Sequence, residues 1–304
     1  MDEFSIIEYI KKQLPTPQKD VVVGIGDDAA VIKKNRNEYT LATCDSLVEN
    51  VHFVKKEITF STLGQRAVAV NVSDIAAMGG IPNHMLVSFI IPKKTSSSFI
   101  SDFYRGIAIA CKKYGIDVVG GNISSGPVLI IDLTLLGQVK KNNLLLRSGA
   151  KVGDLVLVTG ILGSDPKIPV ARLEESQILA ISKKVTSMID ISDGLSSDIQ
   201  HICAQSNVGV RLYAKNLPIF QTSTRGVGAQ KKYSNWETAL NKGENYELCF
   251  TTSSKNALPL KKLVEQQTKT PITIIGEITK SNRLLVLPNN TEVPLQAKGW
   301  NHFL

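Results

Sequence analysis

The 304-residue chain has only four cysteines, Cys44, Cys111, Cys203 and Cys249, and they lie far apart with no CxxC pair. Neither a zinc ribbon nor a disulfide framework is therefore indicated. No apolar run has the length needed to cross a bilayer, and the start, Met1-Asp2-Glu3-Phe4, does not read as a signal peptide. The expectation is a cytoplasmic protein with no membrane partner. A phosphate-cradling GxxxxGK[ST] loop is missing, as are the HRD and DFG strings of protein kinases, HExxH and GxSxG. A basic tail and an aromatic-interleaved RNA signature are also missing. The net charge of +8 comes from lysines scattered singly and in pairs such as Lys33-Lys34 and Lys112-Lys113. That pattern argues against nucleic acid and leaves a mild attraction for small phosphorylated anions.

What is present is an ordinary globular composition, 43% hydrophobic and 20% charged, at a length that suits two domains. Strand-like and helix-like stretches alternate, so the expected class is α+β or α/β with a boundary near Gly149. Short strands are expected at 21–23 and 40–43. Thr62 and Gln65 form a capping-box pattern that opens a helix running to Met78 and stopping at Gly79-Gly80. A strand over 85–91, a helix ending at Gly115 and a strand over 127–137 follow. Later come strands at 154–159 and 271–278, a helix at 174–184 that leads to apolar Met188-Ile189 and Asp190, a helix at 195–205, and a glycine turn into a strand over 243–252.

Carboxylates recur at the junctions of these elements. Gly24-Ile25-Gly26-Asp27-Asp28-Ala29-Ala30 fits GxGxxA as a string, but the dinucleotide reading fails. That fingerprint must open a helix, whereas here the chain continues into strand-like Val31-Ile32. Two adjacent aspartates also repel phosphate unless a metal stands between. Asp45 follows the strand over 40–43 and is expected at its end, and His52 lies just beyond. Asp74 sits in an apolar helix on the stripe of Leu63, Ala67 and Val70, so it needs a cationic partner. Magnesium or a buried arginine is the candidate. Asp190 and Asp193 flank Ser192 before a helix and carry Asp198 shortly after; one of them is explained as a helix cap. Gly243-Glu244-Asn245 is a last acidic turn. Hard oxygen donors spread over several junctions are what magnesium-bridged polyphosphate binding requires.

Taken together the strings resemble the thiamine-monophosphate kinase family, within the aminoimidazole-ribotide-synthetase-like ATP-binding superfamily. They come in the family's order: GIGDDAAVI (24–32), DSLVENVHF (45–53), AVNVSDIAAMGGIP (69–82), VVGGN (118–122), RSGAKVGD (147–154), MIDISDGLSSDI (188–199), KGENYELCFT (242–251) and KGWNHF (298–303). The resemblance implies a two-domain α+β fold: an N-terminal, sandwich-like ATP- and magnesium-binding domain over 1–148 that dimerises through its sheet, and a C-terminal α/β domain over 149–304 that completes the substrate cleft. It implies direct transfer of the γ-phosphoryl of ATP to thiamine monophosphate, with several Mg2+ ions and no phosphoenzyme. Asp28, Thr43, Asp45, Asp74, Asn122, Asp190 and Asp193 would ligate magnesium. Tyr104, Gly121, Arg147 and Ser192 would contact ATP. His52, Glu244 and Trp300 would hold thiamine phosphate, Trp300 by stacking on a cationic aromatic ring.

The chain departs from the family pattern in places. Asn122 stands where an aspartate is usual, and Cys44 where a hydroxyl is common. Lys242-Gly243-Glu244-Asn245 replaces a GGED turn, and the stretch 163–172 is short. The other readings are a different ATP-dependent member of the superfamily and a non-catalytic binder of thiamine phosphate and ATP. Against a selenophosphate synthetase or a hydrogenase-maturation dehydratase stand the missing reactive Cys-Lys pair and the C-terminal His302-Phe303-Leu304.

Overall fold

The computed structural model describes residues 3–220 and 235–301. The segment 302–304 lies outside them. The chain divides into two compact units, one of Pro17–Leu144 with Lys167–Leu173, the other of Met1–Thr16, Leu145–Pro166 and Glu174–Leu304. These differ from a single cut at 148/149 by the first sixteen residues and residues 145–148, which cluster with the C-terminal unit, and by Lys167–Leu173, which cluster with the N-terminal one. Among the described residues no helix is long and apolar enough to cross a membrane.

Before the first sheet comes helix α1 (Glu3–Gln13), in the C-terminal unit. The N-terminal unit then runs β1 (Val21–Val23), β2 (Ala30–Lys33), β3 (Glu38–Val48), α2 (Phe60–Ala77), β4 (Ile81–Ile91), α3 (Ser97–Tyr114), β5 (Asp117–Ser125) and β6 (Ile130–Lys140). The sheet order is β1-β2-β3-β6-β4-β5, antiparallel except for the parallel pair β4 and β5. Alternation fixes its faces. Ile131, Leu133 and Leu135 of β6 are buried, while Asp132, Thr134 and Leu136 between them are only half-buried. On β4, Met85, Val87 and Phe89 are buried and Leu86 is exposed. Phe89 stacks on Phe103 of α3 with ring centroids 4.7 Å apart, a buried aromatic pair that contributes about 1 kcal/mol beyond its area. Helices α2 and α3 cross backbone to backbone: a Cβ on Gly64 would lie 2.3 Å from Phe103 O, and one on Gly106 2.0 Å from Ser61 O. The cap of α2 is Thr59, whose hydroxyl accepts from Thr62 N–H at 3.2 Å. Thr62 therefore lies inside the helix and does not cap it; the true signal was one turn earlier. Gly115 ends α3 in the left-handed region, as the sequence predicts.

The C-terminal unit carries β7 (Asp154–Thr159), α4 (Leu173–Ser182), β8 (Val185–Asp190), α5 (Leu195–Ser206), β9 (Gly209–Tyr213), α6 (Trp236–Asn241), β10 (Leu248–Ser253), α7 (Ser254–Thr268), β11 (Ile272–Thr279), β12 (Arg283–Val286) and β13 (Glu292–Pro294). Their order is β13-β12-β9-β11-β7-β10-β8, with β9 and β12 parallel and the rest antiparallel. Val156, Leu157 and Val158 are all buried, so β7 reads as a continuous apolar run, as a strand covered on both faces must. Val156, Val158, Ile189 and Cys249 form one core with Ile199 and Ile202 of α5. Helix α7 packs on β7, β10 and β11. The mixed α/β architecture with two sheets agrees with the expected class.

Candidate functional site

In the N-terminal unit the Gly-Asp turn enters strand β2 rather than a helix, which removes the dinucleotide reading by direct observation. Asp28 N–H donates to Asp27 Oδ1 at 3.0 Å, and the Asp28 side chain is buried. Carboxylate oxygens of Asp28 and Asp74 lie within 4.8 Å of each other, although the residues stand in a turn and in mid-helix. Thr43 Oγ1 donates to Asp74 Oδ2. The paired acids and the hydroxyl make a hard oxygen donor set in a half-buried setting, the chemistry a divalent cation takes.

Asp45 is not at a strand end. β3 continues three residues further, so Asp45 stands on the same face as Thr43, two residues on, while Cys44 and Ser46 face the other way. There Ser46 Oγ donates to Asp132 Oδ2 at 2.5 Å, and Cys44 Sγ lies 3.3 Å from Asp132 Oδ1. Loss of water, and secondarily the negative charge of Asp132, push the Asp45 carboxyl up to about 6. A nearby cation would reverse that shift. Asp132 has no assigned role from sequence; its only signal was an acid alternating with Ile131 and Leu133.

His52 Nδ1 accepts the Val48 N–H at 3.0 Å, which fixes the tautomer with its proton on Nε2. Tyr104 sits edge-on to Phe103 with centroids 5.5 Å apart, and burial raises its phenol. Gly121 and Asn122 lie on the exposed strand β5, in register with Val87 and Ser88.

In the C-terminal unit Asp190 is buried at the end of β8, paired with Leu248. Neither Asp190 nor Asp193 caps α5: the cap residue is Gly194, at φ 123°, with no side-chain cap bond. The reason is Asp198, in the first turn of α5, which folds back so that its Oδ2 accepts the Gly194 N–H at 3.0 Å. Burial, together with the charges of Asp193 and Asp190, raises the Asp198 carboxyl well above the ordinary range. Arg147 acts against that shift from the same neighbourhood.

The acidic turn is woven onto this loop. Glu244 N–H donates to Ser192 C=O at 2.6 Å, Tyr246 N–H to Ile191 C=O at 2.8 Å, and Ile191 N–H to Glu247 C=O at 2.8 Å. Glu244 and Tyr246 both hold positive φ, 61° and 53°, strain that these bonds offset. Trp300 backbone N–H donates to Asp193 C=O at 2.9 Å, and the residue is 52% exposed. Asn245 accepts the Gly163 N–H at 2.8 Å and donates to the carbonyls of Lys242 and Gly243. An aspartate, which only accepts when ionised, cannot do both. The short stretch 160–172 has no helix or extended strand, and Asn245 holds it at Gly163 while Lys242 pairs with Asp165 at 3.1 Å.

Comparison with known proteins follows the same lines. Residues 26–139 match the family of AIR synthase related proteins through its N-terminal domain, and residues 159–287 through its C-terminal domain. The chain is 35% identical to the thiamine-monophosphate kinase of Buchnera aphidicola subsp. Schizaphis graminum, covering 100% of this chain and 99% of that one. It is 34% identical to that of Bacillus subtilis, covering 100% of each. A solved structure described as AaThiL complexed with AMPPCP and TMP superposes with a TM-score of 0.81 at 30% identity, over 99% of this chain and 97% of that one. The oxygen-donor set, the woven acidic loop and these full-length likenesses lead to one conclusion: the chain belongs to the thiamine-monophosphate kinase family.

Proposed function

We propose that this chain transfers the γ-phosphoryl group of ATP directly to the phosphate of thiamine monophosphate, giving thiamine diphosphate and ADP. The observation that carries the reading is the meeting of Asp28 and Asp74, 46 positions apart in sequence, with Thr43 bonded to the second. A turn and a buried helix bring the two acids within 4.8 Å, a separation that suits a shared cation. Mg2+ fits this set of hard oxygens and would neutralise polyphosphate charge when bound. Asp28, Thr43, Asp45 and Asp74 would hold it in the N-terminal unit, with Asn122 offering a carbonyl oxygen. Asp190 and Asp193 would do so in the C-terminal unit.

The remaining work is positioning and charge, since both reactants are anions. Tyr104, Gly121, Arg147 and Ser192 hold ATP in this reading, with Arg147 supplying a fixed positive charge. His52 offers its Nε2 proton to the substrate phosphate because Nδ1 is already taken by Val48. Glu244 and Trp300 hold thiamine phosphate, Trp300 with its open indole face. A reaction that consumes ATP suits the cytoplasm. A homodimer built on the first sheet accounts for β5, an edge strand exposed along its whole length with Val118, Val119 and Ile123 in the open.

The test is direct. Purified protein with ATP, Mg2+ and thiamine monophosphate yields thiamine diphosphate and ADP in equal amounts, and no product forms in EDTA. Binding of thiamine monophosphate without turnover would instead favour a non-catalytic homologue, and turnover of another acceptor a different member of the superfamily.

A further inference from the structure

Three successive backbone amides at the end of the described chain terminate on the start of α5. Lys298 N–H donates to Ser196 Oγ at 3.2 Å, Gly299 N–H to Ser197 Oγ at 3.0 Å, and Trp300 N–H to Asp193 C=O at 2.9 Å. Ser196 is fully buried and Ser197 nearly so. A hydroxyl in the first turn of a helix ordinarily bonds its own backbone. Here both accept from a segment about one hundred positions away, and the helix is left with Gly194 as its cap. The fit is close: a Cβ on Gly299 would lie 2.5 Å from both Asp193 O and Ser197 Oγ. The same loop also takes Glu244 N–H on Ser192 C=O. One short stretch, 192–197, therefore anchors the backbone of both C-terminal residues assigned to thiamine phosphate.

We propose that Ser196 and Ser197 are positioning residues for thiamine phosphate, acting through Trp300: their hydroxyls set the height and tilt of the indole that covers the substrate ring. The proposal rests on the functional reading above. It predicts a substrate-selective defect, because stacking depends on ring placement while ATP contacts lie on other residues.

The experiment uses the full chain with Trp236→Phe, which leaves Trp300 as the only tryptophan of the two. Ser197→Ala raises acrylamide quenching of Trp300 fluorescence. It raises KM for thiamine monophosphate about five-fold, the worth of one hydrogen bond, while KM for ATP and kcat stay within about two-fold. Ser197→Thr, which keeps the acceptor oxygen, restores the quenching constant and KM toward the parent values. Unchanged quenching in Ser197→Ala overturns the proposal. So does a joint rise in both KM values accompanied by a lower Tm, which marks a merely structural role. If the parent protein fails to turn over thiamine monophosphate, the functional reading fails. The quenching comparison needs no substrate and decides the placement of Trp300 separately.

Discussion

In the N-terminal unit the acids Asp45 and Asp74 stand inside long regular elements, and Asp28 in a short turn beside them. Their positions follow from sheet register and from a helix buried on most of its surface. In the C-terminal unit Asp190 closes β8 and Asp193 stands on the loop after it, whose backbone is crossed by bonds from 244–247 and from Trp300. The first arrangement is a rigid frame that presents charges; the second is a weave in which each strand of backbone holds the next. An isosteric loss of charge should therefore be felt differently in the two places: as lost chemistry in the frame, and through geometry in the weave.

The sharpest way to break this contrast is a pair of Asp→Asn changes. Asp74→Asn is expected to lower kcat by about a thousand-fold with little change in Tm, the scale seen when one fixed electrostatic group is removed. Asp198→Asn is expected to leave the rate within about three-fold, since an amide mimics the neutral acid that burial favours and still accepts from Gly194. Asp198→Ala, which orphans the Gly194 N–H, costs about 3 kcal/mol of stability by urea unfolding. Equal rate losses in Asp74→Asn and Asp198→Asn would erase the distinction.

Acid titration separates the units next. Burial, then the charges of Arg147 and Arg283, hold His201 down at about 4. Between its ordinary value near 6.5 and about 4 the unfolded chain binds the extra proton, so stability falls as pH drops through that window. Asp45 runs the other way. Its folded value of about 6 exceeds the ordinary 3.8, so the folded chain binds more protons there and stability falls as pH rises toward 6 without metal. His201→Gln should flatten the acid limb by roughly 2 kcal/mol, and Asp45→Asn should remove the opposing slope, both read from Tm against pH in EDTA. The smallest expected effect is that of Asn122→Asp, which adds a charge on exposed β5. It should lower the Mg2+ concentration for half-maximal rate about five-fold, worth about 1 kcal/mol.

Much of this was legible in the residues. Alternation and capping signals located β7, α3 and α5, and the carboxylates stood out as a set because acids at element junctions have few bland uses. What escaped has physical reasons. Asp45 looked like a strand end because Cys44 and Ser46 break the apolar alternation; the strand continues since both face the open side of the sheet toward Asp132. Helix α7 was hidden by Pro259, which sits inside it. The short strands β9, β12 and β13 carry too few residues for a period to register. Asp198 was visible but mute, because nothing in a sequence says that a first-turn acid will bend back onto the residue before its own helix.

Asn245 carries a consequence for what its turn tolerates. Its amide faces two carbonyl oxygens and its own oxygen faces an amide proton, so an aspartate there would set oxygen against oxygen in a closed space. The neighbouring segment at Gly163 leans on that same side chain. A replacement at 245 is therefore felt in both segments at once.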